Sequence, residues 1–132
     1  MTMPLPAAKL GDGVTAVDTH IVLVPTPSGP VPVPAQLPFS GTITNQCSPT
    51  VSIMGRPAAV VGSQAVNQPP HVPPDGTFAN PPTNLGVIVT GSPTVWIDGV
   101  PAARSGDQVA TCNDPAPLPV GMITALGTVF FG

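Results

Sequence analysis

The chain has 132 residues and a net charge of −3, with 42% hydrophobic and only 7% charged residues. Its only cations, Lys9, Arg56 and Arg104, are too few to neutralise a run of phosphates, which excludes nucleic acid as a main partner. The 21 prolines exclude long helices, because each interior proline removes a donor and clashes with the preceding turn, and the apolar content excludes a disordered linker.

The expectation is one compact, mainly β domain over residues 1–132, turn-rich and with little helix. Met1 to Leu10 lacks the basic start and apolar core of a signal peptide, and no apolar run is long enough to span a bilayer, so synthesis in the cytoplasm is expected. In a reducing cytoplasm the two cysteines, Cys47 and Cys112, are expected to stay unpaired.

In chain order, the first motif is Pro6-Ala7-Ala8-Lys9, followed by Leu10-Gly11-Asp12-Gly13-Val14, with Asp12 read as a turn-supporting residue. His20 comes next, and then a proline-rich insert, Pro25 to Phe39, read as a stiff loop of extended or polyproline conformation. Ser48-Pro49-Thr50-Val51-Ser52-Ile53-Met54-Gly55 leads into a second copy of the motif, Pro57-Ala58-Ala59-Val60. Val51 and Ile53 alternate with Ser52 at the strand period, and Met54-Gly55 stands where a hairpin would turn. His71 lies in a second insert, Pro69 to Pro82. The third copy repeats the pattern closely, as Ser92-Pro93-Thr94-Val95-Trp96-Ile97-Asp98-Gly99-Val100-Pro101-Ala102-Ala103-Arg104, with Asp107 again in a turn and Cys112 beyond. Met122 to Phe131 reads as one last strand anchored by Phe130 and Phe131. The repeat units thus cover roughly 6–24, 41–71 and 86–115. Small, rigid Pro-Ala-Ala segments used three times imply that the copies approach one another near a common axis, where only small side chains fit.

The repeats also align candidate metal ligands. His20 stands 14 residues after Pro6, His71 stands 14 after Pro57, and Cys112 stands 11 after Pro101. Histidine nitrogen and cysteine thiolate suit tetrahedral Zn²⁺, which needs a fourth ligand; Cys47, Asp18, Asp114 and water are the candidates. A catalytic zinc would need a general base. The chain has no Glu, no Gly-x-Ser-x-Gly elbow and no phosphate loop, so no catalytic residue is assigned, and a small zinc hydrolase is the alternative reading.

These motifs carry a resemblance. On Ala7-Ala8-Lys9-Leu10-Gly11-Asp12, on the twice-used Ser-Pro-Thr-Val-x-Ile-x-Gly-x-Pro-Ala-Ala and on the His and Cys positions, the chain resembles the PAAR-repeat (PAAR-motif) proteins, spike tips of contractile injection systems. Its inserts look more like those of extracellular phage-tail-like particles than the shortest type VI secretion tips. The resemblance implies a cone of short strands and hairpins whose base caps a trimeric spike. It further implies structural Zn²⁺ held by His20, His71 and Cys112, and a mechanical role in membrane puncture rather than catalysis. The family commonly uses three His and one Cys where this chain has two His, which leaves the fourth ligand open. Implied partners are the spike, capped by one copy, effector cargo or an adaptor role for it, and a target membrane touched transiently. The implied place is the tip of the apparatus, delivered outside the cell or into the target.

Overall fold

The computed structural model describes residues 4–132; residues 1–3, the start of the expected domain and of the segment read for a signal, lie outside the described residues. Among the described residues there is no helix. The strands are β1 (Leu5–Pro6), β2 (Gly13–Val24), β3 (Val31–Asn45), β4 (Ser52–Ile53), β5 (Arg56–Pro57), β6 (Gln64–Asn67) and β7 (Thr77–Phe78). They continue as β8 (Leu85–Ile88), β9 (Trp96–Ile97), β10 (Val100–Pro101), β11 (Gln108–Thr111), β12 (Leu118–Thr124) and β13 (Phe130–Phe131).

The three Pro-Ala-Ala segments meet. Ala8 N–H donates to Ala103 C=O, Ala103 N–H to Ala59 C=O, and Ala59 N–H to Ala8 C=O, each at 3.0 Å. This closed ring of backbone hydrogen bonds defines a pseudo-threefold axis, and all three alanines are fully buried. Bridges Ala7↔Arg104, Lys9↔Ala58 and Val60↔Ala102 flank it. A side chain larger than methyl would force the strands apart and break the ring.

The turns after the ring share one construction. Asp12 accepts the Lys9 N–H at 2.9 Å, Asp107 accepts the Arg104 N–H at 2.7 Å, and Ser63 Oγ accepts the Val60 N–H at 2.9 Å. The expectation that Asp12 and Asp107 support turns holds, and Ser63 does the same work without charge. Each turn leads into a barrel strand. The barrel is antiparallel and closed, in the order β2-β3-β6-β8-β11-β12 and back to β2. Closure leaves those six strands no free edge on the ring, which removes a site for promiscuous pairing.

Side chains fill the axis in layers. Below the alanine ring lie Val14, Ala65 and Val109, paired with Ile123, Ile43 and Ile88 respectively, all 0–1% exposed. Phe39 plugs the next level, and glycine makes its space. A Cβ on Gly41 would stand 2.5 Å from the Phe39 ring, and one on Gly86 would stand 2.8 Å from Val109 and 3.4 Å from Phe39. On the other side of the alanine ring a second cluster gathers Ala7, Ala58 and Ala102 with Ile53, Ile97 and the partly buried Phe131. Adjacent residues of one extended segment thus feed two clusters, because successive side chains point to opposite faces.

The second cluster belongs to three small hairpins. β4–β5 and β9–β10 turn through Met54-Gly55 and Asp98-Gly99, each with both φ values positive, from +51° to +83°, as a type I′ turn requires. The third hairpin is made from distant segments, with Leu5 opposite Phe131 and Pro6 opposite Phe130. Met122 to Phe131 is therefore two elements rather than one strand. Met122–Thr124 belongs to the barrel, whereas Phe130–Phe131 leaves it to complete the first Pro-Ala-Ala unit. Phe131 packs in the cluster, but Phe130 stays half exposed.

The first insert also departs from its reading as a loop. From Val31 onward it is β3, paired with β2 without interruption from Val24↔Val31 to Gly13↔Thr42. Pro32, Pro34 and Pro38 share the parity of Ser40, whose N–H and C=O point away from β2 toward Asn67 and Gln68. Their missing donors therefore fall on the side that the β2–β3 ladder does not use. The second insert stays irregular apart from β7, which adds to β2 at Val22 and Leu23.

Substituting Ala59→Leu should lower unfolding stability by about 1–3 kcal/mol through overpacking at the ring. The exposed control Val17→Ala should change it by less than about 0.5 kcal/mol. Equal midpoints for the two variants in urea unfolding would contradict the role of the ring.

Candidate metal centre

Past Phe39 the barrel interior turns polar. Asp18 and His20 alternate inward along β2, both at most 1% exposed. Thr111 and Cys112 come from the end of β11, where the register with β12 shifts and the strand stops. That stop lets two consecutive residues bury their side chains, so Cys112 reaches the interior from a position not equivalent to the histidines. His71 enters from the segment after β6, its backbone N–H held by Asn84 Oδ1 at 2.9 Å.

The structure gathers Asp18, His20, His71 and Cys112, all buried, with one donor atom of each within 4.8 Å of the others. The group could hold a metal ion. Asp18 is its hub. Its Oδ2 accepts from His71 Nε2 at 2.8 Å and faces Cys112 Sγ at 3.5 Å, while its Oδ1 accepts from Thr111 Oγ1. The His20 and His71 rings lie 5.1 Å apart, and Phe78 and Phe39 wall them.

His20 supplies the clearest test of fit. Both of its ring nitrogens are buried, and neither has a hydrogen-bond partner among the described residues. Asp114 Oδ2 stands 3.5 Å from Nδ1 but is engaged by the Ile21 N–H at 2.7 Å. A buried polar atom without a partner costs about 1–3 kcal/mol, so it calls for an explanation. A metal bond to His20 removes the deficit, and nitrogen, sulfur and carboxylate oxygen together form a normal donor set for a transition metal.

The residues singled out from the sequence sort cleanly. His20, His71 and Cys112 come together, and Asp18, one of the open candidates, joins them. Asp114 stands at the rim beside His20. Cys47 is elsewhere: it is half-buried, packs against the barrel core and places its Sγ 4.0 Å from Asn45 C=O. Both cysteines are free thiols. Thr111 and Asn67, which orient Asp18 and His71, were not singled out, although Asn67 shares its repeat position with Thr111.

The PAAR motif family matches residues 38–110 and 79–132, most of the chain. The chain belongs to the PAAR-motif family. None of the curated proteins matches it. Within the PAAR-motif chain, His71 and Cys112 fall inside the matched stretches, whereas Asp18 and His20 precede them on β2. The PAAR-motif family is structural rather than catalytic.

Without metal, burial and then the negative charge of Asp18 push the Cys112 thiol from about 9 up to about 11, and burial likewise raises Cys47. The thiol is therefore almost wholly protonated at neutral pH. Alkylation of Cys112 by iodoacetamide at pH 8 in metal-free protein should therefore run at least tenfold slower than that of a free thiol. Labelling as fast as a small thiol, followed by peptide mass mapping, would refute the buried hub.

Proposed function

We propose that the protein is the piercing tip of a contractile injection apparatus, capping one end of a trimeric spike and stabilised by structural Zn²⁺. It is made in the cytoplasm, assembled on the spike and carried with it out of the cell or into the target. The observation that carries this reading is the hydrogen-bonded ring of Ala8, Ala59 and Ala103, which gives a single chain three equivalent hairpins around one axis. A monomer with that symmetry matches a threefold partner at a single copy.

The hairpin end is the docking face in this reading. It exposes Trp96 at 60%, Phe130 at 52% and Met54 at 53%, of which Trp96 and Phe130 hold equivalent places opposite Pro101 and Pro6. Large apolar side chains on a charge-poor surface favour a protein interface. The opposite end carries the β2–β3 hairpin, and no charged residue occurs between Asp18 and Arg56. An uncharged, proline-stiffened projection suits brief passage through a bilayer, where each charge would be costly. The role is mechanical, and effector cargo would ride on the assembled spike.

Asp18, His20, His71 and Cys112 would hold the zinc. The bound ion would supply charge neutralisation for Asp18 and the Cys112 thiolate together with coordinate bonds to the histidines. The chain's contribution is reach: Asp18 and His20 belong to the first unit, His71 to the second and Cys112 to the third. One cluster therefore ties all three units at the far end of the barrel from the alanine ring, adding folding energy to a small core.

Purified protein should carry about one zinc per chain, and His71→Ala should lose it together with several degrees of thermal stability. Less than about half an equivalent by elemental analysis would refute the zinc, and metal-dependent hydrolysis would refute the structural role. Light scattering of the protein with a trimeric spike should give one copy per trimer; three copies would overturn the cap.

A further inference from the structure

We infer that Asn67 is a positioning residue that sets the ring tautomer of His71, holding its proton on Nε2, and thereby weakens the site's grip on metal. The part concerning metal rests on the metal site proposed above; the part concerning the tautomer does not.

Asn67 ends β6 and is 1% exposed. Its Oδ1 accepts the backbone N–H of Ser40 at 2.8 Å, which fixes the amide the right way round. Nδ2 then lies 3.3 Å from His71 Nδ1 and 3.2 Å from Asn84 Oδ1. Asn84 is fixed in the same manner, because its Oδ1 also receives the His71 backbone N–H at 2.9 Å. With both amides anchored by backbone donors, Asn67 can present only N–H to the imidazole. His71 Nδ1 must accept, so a neutral ring carries its proton on Nε2.

The other side of the ring agrees. His71 Nε2 stands 2.8 Å from Asp18 Oδ2, an acceptor-only carboxylate oxygen that a bare imine nitrogen would repel. The Nε2–H fills that contact. The same nitrogen is the one aimed at the cluster, so a metal can bind His71 only by displacing this proton. Proteins that hold a metal tightly place an acceptor behind the ligating histidine, which favours the opposite tautomer and raises ligand basicity. Here a donor stands in that place. His20 has neither constraint, since both of its ring nitrogens lack partners among the described residues. The two histidines, equally spaced in sequence, therefore differ: His20 is free to ligate and His71 is held against it.

The test has two arms. Long-range ¹H–¹⁵N correlation NMR on metal-free wild-type protein reads the His71 tautomer directly. Protonation at Nε2 alone is expected, whereas a proton on Nδ1, alone or in a doubly protonated ring, overturns the inference. The second arm is Asn67→Asp, which keeps an acceptor for Ser40 and supplies one for His71 Nδ1–H. Competition of zinc alone against a chromophoric chelator should show binding tightened by about tenfold or more. Unchanged or weaker binding in a folded variant, as a merely structural Asn67 requires, overturns the effect on metal. If the variant does not fold, the wild-type tautomer still decides. A wild-type protein that takes up no zinc but carries the Nε2 proton would sink the metal site and leave the tautomer standing.

Discussion

Three backbone hydrogen bonds, closing a ring through Ala8, Ala59 and Ala103, are the constraint on which the rest of the fold depends. A cyclic triangle of this kind requires three extended segments at one level of one axis. Methyl side chains alone allow the approach, and proline at the start of each segment limits the alternatives in the unfolded chain. Everything else propagates outward from that level. One set of alternating side chains seeds the barrel core, and the other seeds the hairpin cluster. The turns that leave the ring are stapled by Asp12, Ser63 and Asp107 and launch the barrel strands in equivalent directions.

The polar end of the barrel departs from this symmetry. The places equivalent to Asp18 are Pro69 and Asn113, and the place equivalent to His20 and His71 is Pro115. A threefold scaffold thus carries an asymmetric cluster, with two of its side chains from β2 and one from each of the other units. The departure brings three different donor types, nitrogen, sulfur and carboxylate oxygen, to one place. It also explains why the centre is crowded with organising residues such as Thr111, Asn67 and Asn84, each holding a donor or acceptor that symmetry does not supply.

Much of this is legible in the sequence. The recurrence of Pro-Ala-Ala announced the axis, Asp98-Gly99 and Met54-Gly55 announced two hairpins, and the equal spacing of His20 and His71 announced a shared site. Two elements escaped for physical reasons. The third hairpin joins Leu5 and Pro6 to Phe130 and Phe131, so no local turn marks it. Its signal was Thr128-Val129-Phe130-Phe131, which echoes Thr50-Val51-Ser52-Ile53 and Thr94-Val95-Trp96-Ile97. The strand through Pro32, Pro34 and Pro38 escaped because proline argues against a ladder, and only the pairing shows that these prolines face its unused side. Asp18 stayed one candidate among several because inward direction along β2 depends on register, which composition does not reveal.

The pairing of β1 with β13 also governs how the molecule can come into being. A closed ring whose last contact lies between segments separated by almost all of the intervening sequence offers no stable halfway house. Emerging from a ribosome, the first unit lacks the strand that completes its hairpin until the segment around Phe131 has been made. Until then Ala8 and Ala59 wait for Ala103, and β2 waits for β12. Folding therefore cannot finish before the segment around Phe131 is available, and it is slow for its size because so many contacts are non-local. A chain that lacks this segment leaves the first of the three hairpins unfinished.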